Sequence, residues 1–136
     1  MTILMAKGCS QETKNDLEKA EITYTANSRG FFKMIVIKDQ TITVSNNRDG
    51  RDKDAPAKIQ DADWKELVGY FQEIQLDSLE TYKDPTQARF YDGAAIANMT
   101  VKYQDKEYNT ISFDHGTPPV EIKKLVTKIL SFKTND

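Results

Sequence analysis

The chain is poor in the residues that most often announce a chemistry. It has one cysteine, Cys9, one histidine, His115, and one tryptophan, Trp64. A single thiol closes no intramolecular disulfide, and a zinc site built on one cysteine and one histidine would need carboxylates for its other ligands, an uncommon donor set. No Gly-x-Ser-x-Gly elbow, phosphate-binding glycine loop or His-Glu-x-x-His pair occurs, so the commoner hydrolase, nucleotide-binding and metalloprotease signatures are missing. No apolar run approaches the roughly 20 residues that span a bilayer. Nor does charge of one sign dominate: 19 basic residues face 21 acidic ones, a net of −2. That field is too weak to argue for nucleic acid or an anionic membrane surface as a partner.

With 136 residues the chain is expected to form one domain, and its 29% charged and 10% aromatic content is that of a folded globular protein. Cys9 is the most suggestive residue. It stands in Gly8-Cys9-Ser10, behind a short apolar stretch from Thr2 to Ala6 and ahead of a polar run. A small residue, a cysteine and then a soluble tether is the arrangement of acylated bacterial lipoproteins. Residues 1–9 therefore read as the remnant of a signal peptide and its lipobox, residues 10–20 as a flexible tether, and residues 21–136 as a single α+β domain. The alternative is a free thiol in a frayed cytosolic tail.

Within the domain, Ile22 to Ala26 alternates with period two, Asn27 to Gly30 is turn chemistry, and Phe31 to Lys38 is a β-branched and aromatic run. Asp39-Gln40 makes a tight connection to Thr41–Ser45, which completes a three-stranded meander. Asn46 to Lys58 reads as a charged loop. Its Asn47, Asp49, Asp52 and Asp54 do not make a calcium loop, because Pro56 stands where the bidentate carboxylate is required. A helix is expected from Asp61 as N-cap, with Trp64, Leu67, Val68, Phe71 and Ile74 on its inner face. Leu76 to Gly93 is irregular. A second hairpin follows, with Ala95, Ala97, Met99, Val101 and Tyr103 on one face and Tyr108 to Phe113 returning. Thr117 as N-cap and Pro118 as first helical residue predict a last helix to about Phe132. The order is βββαββα, and the economical packing is two helices on one face of a mainly antiparallel five-stranded sheet. The other face is left to solvent or a partner.

The candidate site residues lie in three words: Ser28-Arg29-Gly30-Phe31, Arg89-Phe90-Tyr91-Asp92-Gly93 and Phe113-Asp114-His115-Gly116. An Asp beside a His can orient a general base, and Asp92 could approach His115 from the other glycine-bearing corner. The competing reading is a rigid loop in which Asp114 and His115 satisfy backbone groups around Gly116. Arg29 and Arg89 are expected to pair with Asp92 or Asp114. With Tyr91 they could equally form a recognition surface, since Arg and aromatics are the usual hot-spot residues. No metal, cofactor or committed catalytic residue follows from these words.

Tyr91-Asp92-Gly93-Ala94-Ala95, the hairpin after it, and Phe113-Asp114-His115-Gly116 with two prolines before a final helix resemble a group of small bacterial envelope lipoproteins. Ser28-Arg29-Gly30-Phe31 and Trp64 fit the same pattern, so the resemblance covers about residues 21–132. It implies an acylated cysteine and a small α+β domain facing the periplasm or the cell exterior, with no activity attached. The expected role is a non-enzymatic accessory subunit of another envelope protein, such as an outer-membrane assembly. The alternatives are a small ligand-binding or enzymatic domain using Asp92, Asp114 and His115, or a cytosolic regulatory domain if Cys9 is not acylated.

Overall fold

The computed structural model describes residues 17–28, 30–46, 56–91 and 94–132. Strand β1 (Ala20–Ser28) pairs antiparallel with β2 (Phe31–Lys38), which pairs with β3 (Thr41–Ser45) and then the two-residue β4 (Ala57–Lys58). Helix α1 (Asp61–Gln72) follows, and β5 (Ile96–Tyr103) returns to the free side of β1. Strands β6 (Lys106–Asn109) and β7 (Phe113–Asp114) both pair with β5, and α2 (Lys123–Ser131) ends the described chain. The sheet is antiparallel in the order β4-β3-β2-β1-β5-β6, with β7 beside β5.

The predicted architecture is present, with seven strands instead of five. One addition is β4, inside the segment read as loop. It is held through the β2–β3 turn, where both Asp39 and Gln40 take positive φ, 53° and 61°, as a two-residue turn matching the sheet twist requires. Left-handed backbone is costly for a residue with a Cβ. Gln40 is held there by its neighbours: its amide donates to the Ile59 carbonyl and to Asp61 Oδ1, both at 2.8 Å, and the Ile59 N–H donates back to its carbonyl at 2.8 Å.

The other addition comes from division of the last strand. Tyr108 lies opposite Val101 and Phe113 opposite Ala97, both toward the core. Residues five apart cannot share a face of an unbroken strand. The chain therefore bulges, and Thr110, Ile111 and Ser112 face only Asn98 and Met99. Thr110 seals the bulge: its N–H donates to the Met99 carbonyl, and its Oγ1 accepts from the Met99 N–H, each at 3.0 Å.

One sheet face carries the core. Ile22, Tyr24 and Ala26 register with Ile35 and Ile37 on one side and with Ala97, Met99 and Val101 on the other, and all are buried. Helix α1 lays Trp64, Leu67 and Phe71 on this layer, and Ile74 follows just beyond it. Helix α2 adds Leu125, Val126 and Ile129, with Leu130 partly buried. Lys128 ties the helices together through Asp63 at 2.8 Å and Glu66 at 3.2 Å. On the opposite sheet face Thr23, Thr25, Val36, Thr43 and Thr100 are half-buried, and no described helix packs there.

Three boundaries move. Leu17, read as part of the tether, forms a 3₁₀ turn with Glu18 and Lys19 and is fully buried in the core. A lone apolar residue carries no periodicity, so nothing in the sequence marked it. Helix α1 is capped by Gln60 without a side-chain bond; Asp61 is the first helical residue, and its carboxylate receives the Gln40 amide. Helix α2 starts at Lys123, behind a 3₁₀ turn at Val120–Ile122, rather than at Pro118. A residue before proline is driven out of the helical region. Pro118 precedes Pro119, which is itself extended at φ −52°, ψ 145°, so no helix can form until the pair is passed.

Candidate functional site

Asp114 ends β7 and is almost fully buried. Its carboxylate is enclosed by the segment ahead of β5. Oδ2 accepts from the Thr86 hydroxyl and from the Ala88 N–H at 2.7 Å; Oδ1 accepts from the Arg89 N–H at 3.0 Å and from Arg89 Nη1 at 3.1 Å. A carboxylate offers roughly four lone-pair sites, and four donors occupy them. Burial alone would raise this group's pKa. The bonds from Thr86, the two backbone amides and the guanidinium outweigh it and hold the pKa at about 2.

Arg89 is the second member of this web. Its Nη1 also donates to the Thr86 carbonyl at 3.1 Å, and its Nη2 meets Asp84 Oδ2 at 2.6 Å. The guanidinium lies 4.4 Å from the centroid of the Phe90 ring. Burial works against its charge, and Asp84 and Asp114 more than restore it. Asp84 is held below the usual carboxylate range mainly by its bond from Arg89. The Arg89–Asp114 pairing expected from sequence is therefore present, with Thr86 and Asp84 as members that the sequence did not point to.

His115 belongs to a different neighbourhood. Asp114 is the last residue of β7 and His115 opens the turn after it, and their side chains part: Asp114 turns to the 84–89 segment while His115 turns to the core side. There it meets Tyr24 and Phe31, with ring centroids at 5.8 and 5.7 Å, and Phe113 lies 6.1 Å from Tyr24. Tyr24 Oη is 2.9 Å from His115 Nδ1. A Tyr24 phenol that donates to Nδ1 leaves the neutral imidazole its own proton on Nε2. Burial pushes the Tyr24 pKa up to about 12, the Gly116 amide offsetting part of the rise. Burial also lowers the His115 pKa, and the positive charge of Lys33 lowers it further.

Among the described residues no carboxylate contacts the His115 ring, so the Asp–His pair written in the sequence is not an oriented base in space. The rigid-loop alternative is met in a modified form. The backbone groups that Asp114 satisfies are those of Ala88 and Arg89, 26 and 25 residues away, while around Gly116 its own carbonyl accepts from the Thr117 N–H at 2.9 Å. Tyr91 closes the 3₁₀ turn Ala88–Tyr91. Arg29 and Asp92 lie outside the described residues, as do Cys9 and the loop positions Asn47, Asp49, Asp52 and Asp54. Among the described residues no cluster of three or more His, Cys, Asp and Glu could hold a metal ion.

Tyr24 was legible as core but not as a site member. The available signal was its hydroxyl, since a buried tyrosine on a core-facing strand position needs a polar partner. Lys33 carried a comparable signal, falling in phase with Phe31 and Ile35 on the core face of β2. In comparisons with known proteins, no family model, no curated protein and no solved structure matches this chain.

Proposed function

We propose that the chain is a non-enzymatic lipoprotein of the cell envelope, held to a membrane through acylated Cys9, with its α+β domain serving as an accessory subunit of another envelope protein. The observation that carries the reading is the saturation of Asp114. The one carboxylate beside the one histidine spends its four acceptor sites on Thr86, Ala88 and Arg89, which leaves it none for a reacting group or an imidazole. Among the described residues His115 has no carboxylate partner to make it an oriented general base, and the other conspicuous polar groups of this corner, Asp84 and Arg89, are spent on each other.

Two further features support an interaction role. The sheet face opposite the helices presents Phe32, Met34 and Val36 in one outward row of β2, flanked by the threonines of β1 and β3, all half-buried. The resemblance of these words to those of small envelope lipoproteins supports the anchor and the compartment: outer membrane, on its periplasmic or surface side. An outer-membrane assembly is the favoured partner.

Mass spectrometry of the native, full-length protein tests the anchor. An acylated Cys9 at the mature N-terminus is expected, and an unmodified Met1 overturns the envelope assignment in favour of a cytosolic regulatory domain. Pull-down from detergent-solubilised envelopes tests the role. A stoichiometric partner is expected, and a monodisperse monomer recovered alone overturns the accessory-subunit reading.

A further inference from the structure

The corner where β1, β2 and β7 meet carries an arrangement that the proposed docking role does not use. Strand alternation places Phe31, Lys33 and Ile35 on the same face of β2, opposite Ser28, Ala26 and Tyr24 of β1. His115 stacks on Tyr24 and Phe31 of this group. Its Nδ1 is occupied by the Tyr24 phenol, so Nε2 is the ring nitrogen left for a further partner. Lys33 is half-buried, and its charge reaches the imidazole strongly enough to disfavour protonation. Among the described residues neither Lys33 nor His115 is paired with a carboxylate. The nearest acid in sequence, Asp114, faces away with its acceptor sites filled. The Phe31 ring, 36% exposed, forms an apolar wall beside these two donors.

We infer that Lys33, His115 and Phe31 form a recognition site for an anionic group carried on an apolar body, with Lys33 as counter-charge, His115 Nε2–H as hydrogen-bond donor and Phe31 as the stacking surface. The donors are complementary in kind. A lysine ammonium attracts an anion but directs it poorly, being a point charge on a flexible stem. The imidazole is directional, because Tyr24 engages its Nδ1 and its ring is held between two aromatic neighbours. An anion between them removes the repulsion that Lys33 now exerts on a protonated His115, so occupancy and His115 protonation reinforce each other. Carboxylate and phosphate share this chemistry. The Phe31 wall favours whichever is attached to an aromatic or aliphatic group.

The chain has a single histidine, so the His115 Cε1–H resonance is an unambiguous reporter. The full-length protein is titrated by NMR with sodium benzoate and, separately, inorganic phosphate, at constant ionic strength made up with chloride. A saturable shift of His115 is expected with Kd of about 1–10 mM, the range for one exposed ion pair aided by a hydrogen bond and a stacking contact. At saturation the His115 pKa rises by about half a unit or more. Lys33→Gln keeps the stem of the side chain and weakens binding of either probe about tenfold; Lys38→Gln, on the exposed end of the same strand, leaves it unchanged. Phe31→Ala reduces benzoate binding more than phosphate binding. Saturation by benzoate alone assigns a carboxylate ligand and by phosphate alone a phosphate ligand; either supports the site. A shift that stays linear with both probes, or one that Lys33→Gln leaves intact in a folded chain, overturns it. This outcome is independent of the Cys9 and pull-down results.

Discussion

Replacing Tyr24 by Phe should produce two stability curves that cross. The ring stays, so packing against Phe113 and His115 is retained and the change removes one hydroxyl from a fully buried side chain. Below about pH 9 the variant loses the bond to His115 Nδ1 from a buried site, at a cost of about 1–2 kcal/mol. For a chain of 136 residues this lowers Tm by roughly 4–8 °C. At high pH the sign reverses. The Tyr24 pKa is raised from 10.0 in the unfolded chain to about 12 in the folded one, so the folded state keeps a proton that the unfolded state has already released. Stability from this group is complete below pH 10 and is lost as pH rises from 10 to about 12, a total of about 3 kcal/mol. The Phe variant has no such loss. Its curve should meet that of the natural chain near pH 11, where about half of this amount has gone, and lie above it at pH 12. Urea unfolding followed by circular dichroism from pH 7 to 12 measures both, and subtracting the curves removes the other tyrosines and the lysines. A difference that stays constant across pH 9–12 refutes the argument, because a solvated Tyr24 phenol titrates alike in both states.

Leu17→Ala should cost about 2–5 kcal/mol, because Leu17 is fully buried; Lys19→Ala, two residues on and exposed, should change stability by less than about 0.5 kcal/mol. Equal small effects in denaturant titrations would return Leu17 to the tether. His115→Gln should flatten the acid arm of the stability profile. The folded pKa of His115 lies below the unfolded 6.5, so its contribution is complete above pH 6.5 and is lost as pH falls through the lower folded value. Unchanged slopes below pH 6.5 would contradict the burial assigned to the ring. Asp114→Asn should lower Tm and speed amide exchange at Ala88 and Arg89, whose N–H groups bond to the carboxylate. The Asp114 pKa is depressed to about 2, so its contribution is complete above the unfolded carboxylate range and is lost as pH falls through about 2. Amide exchange at the two residues that matches the natural chain would refute the web as the anchor of this segment.

The sheet and both helices were readable because their patterns repeat. Ile22, Tyr24 and Ala26 alternate, and Trp64, Leu67, Phe71 and Ile74 recur at helical spacing, so several residues vote for each element. What escaped had a single vote or a distant partner. Leu17 stands alone among polar neighbours. The Thr110–Ser112 bulge was implied by the odd spacing between Tyr108 and Phe113, two core-seeking aromatics, but only once both are assigned to the core face. The late start of α2 was encoded in Pro118-Pro119 and overridden by the attraction of Thr117 as a cap. The partners of Asp114 lie 25 to 28 residues earlier in a stretch without periodicity, and nothing local announces them. Lys33 was passed over because a lysine in a strand is ordinarily read as facing solvent.

Asp114 and His115 show why adjacency in sequence misleads where a strand gives way to a turn. Asp114 closes β7 and His115 opens the turn after it, so the pair that looks most like an acid–base dyad is parted, each side chain meeting a different set of partners. The fold uses the separation. Asp114 goes to the edge, where Thr86 and Arg89 take all of its acceptor capacity and fasten the irregular 84–91 segment to β7. His115 goes to the corner, where Tyr24 meets its Nδ1 and burial, with the charge of Lys33, disfavours its protonation. A saturated carboxylate cannot respond to a ligand, whereas an imidazole with a ring nitrogen to spare, beside an ammonium that meets no carboxylate among the described residues, can. Recognition, if this domain performs it through polar groups of these words, falls to the histidine side of the pair.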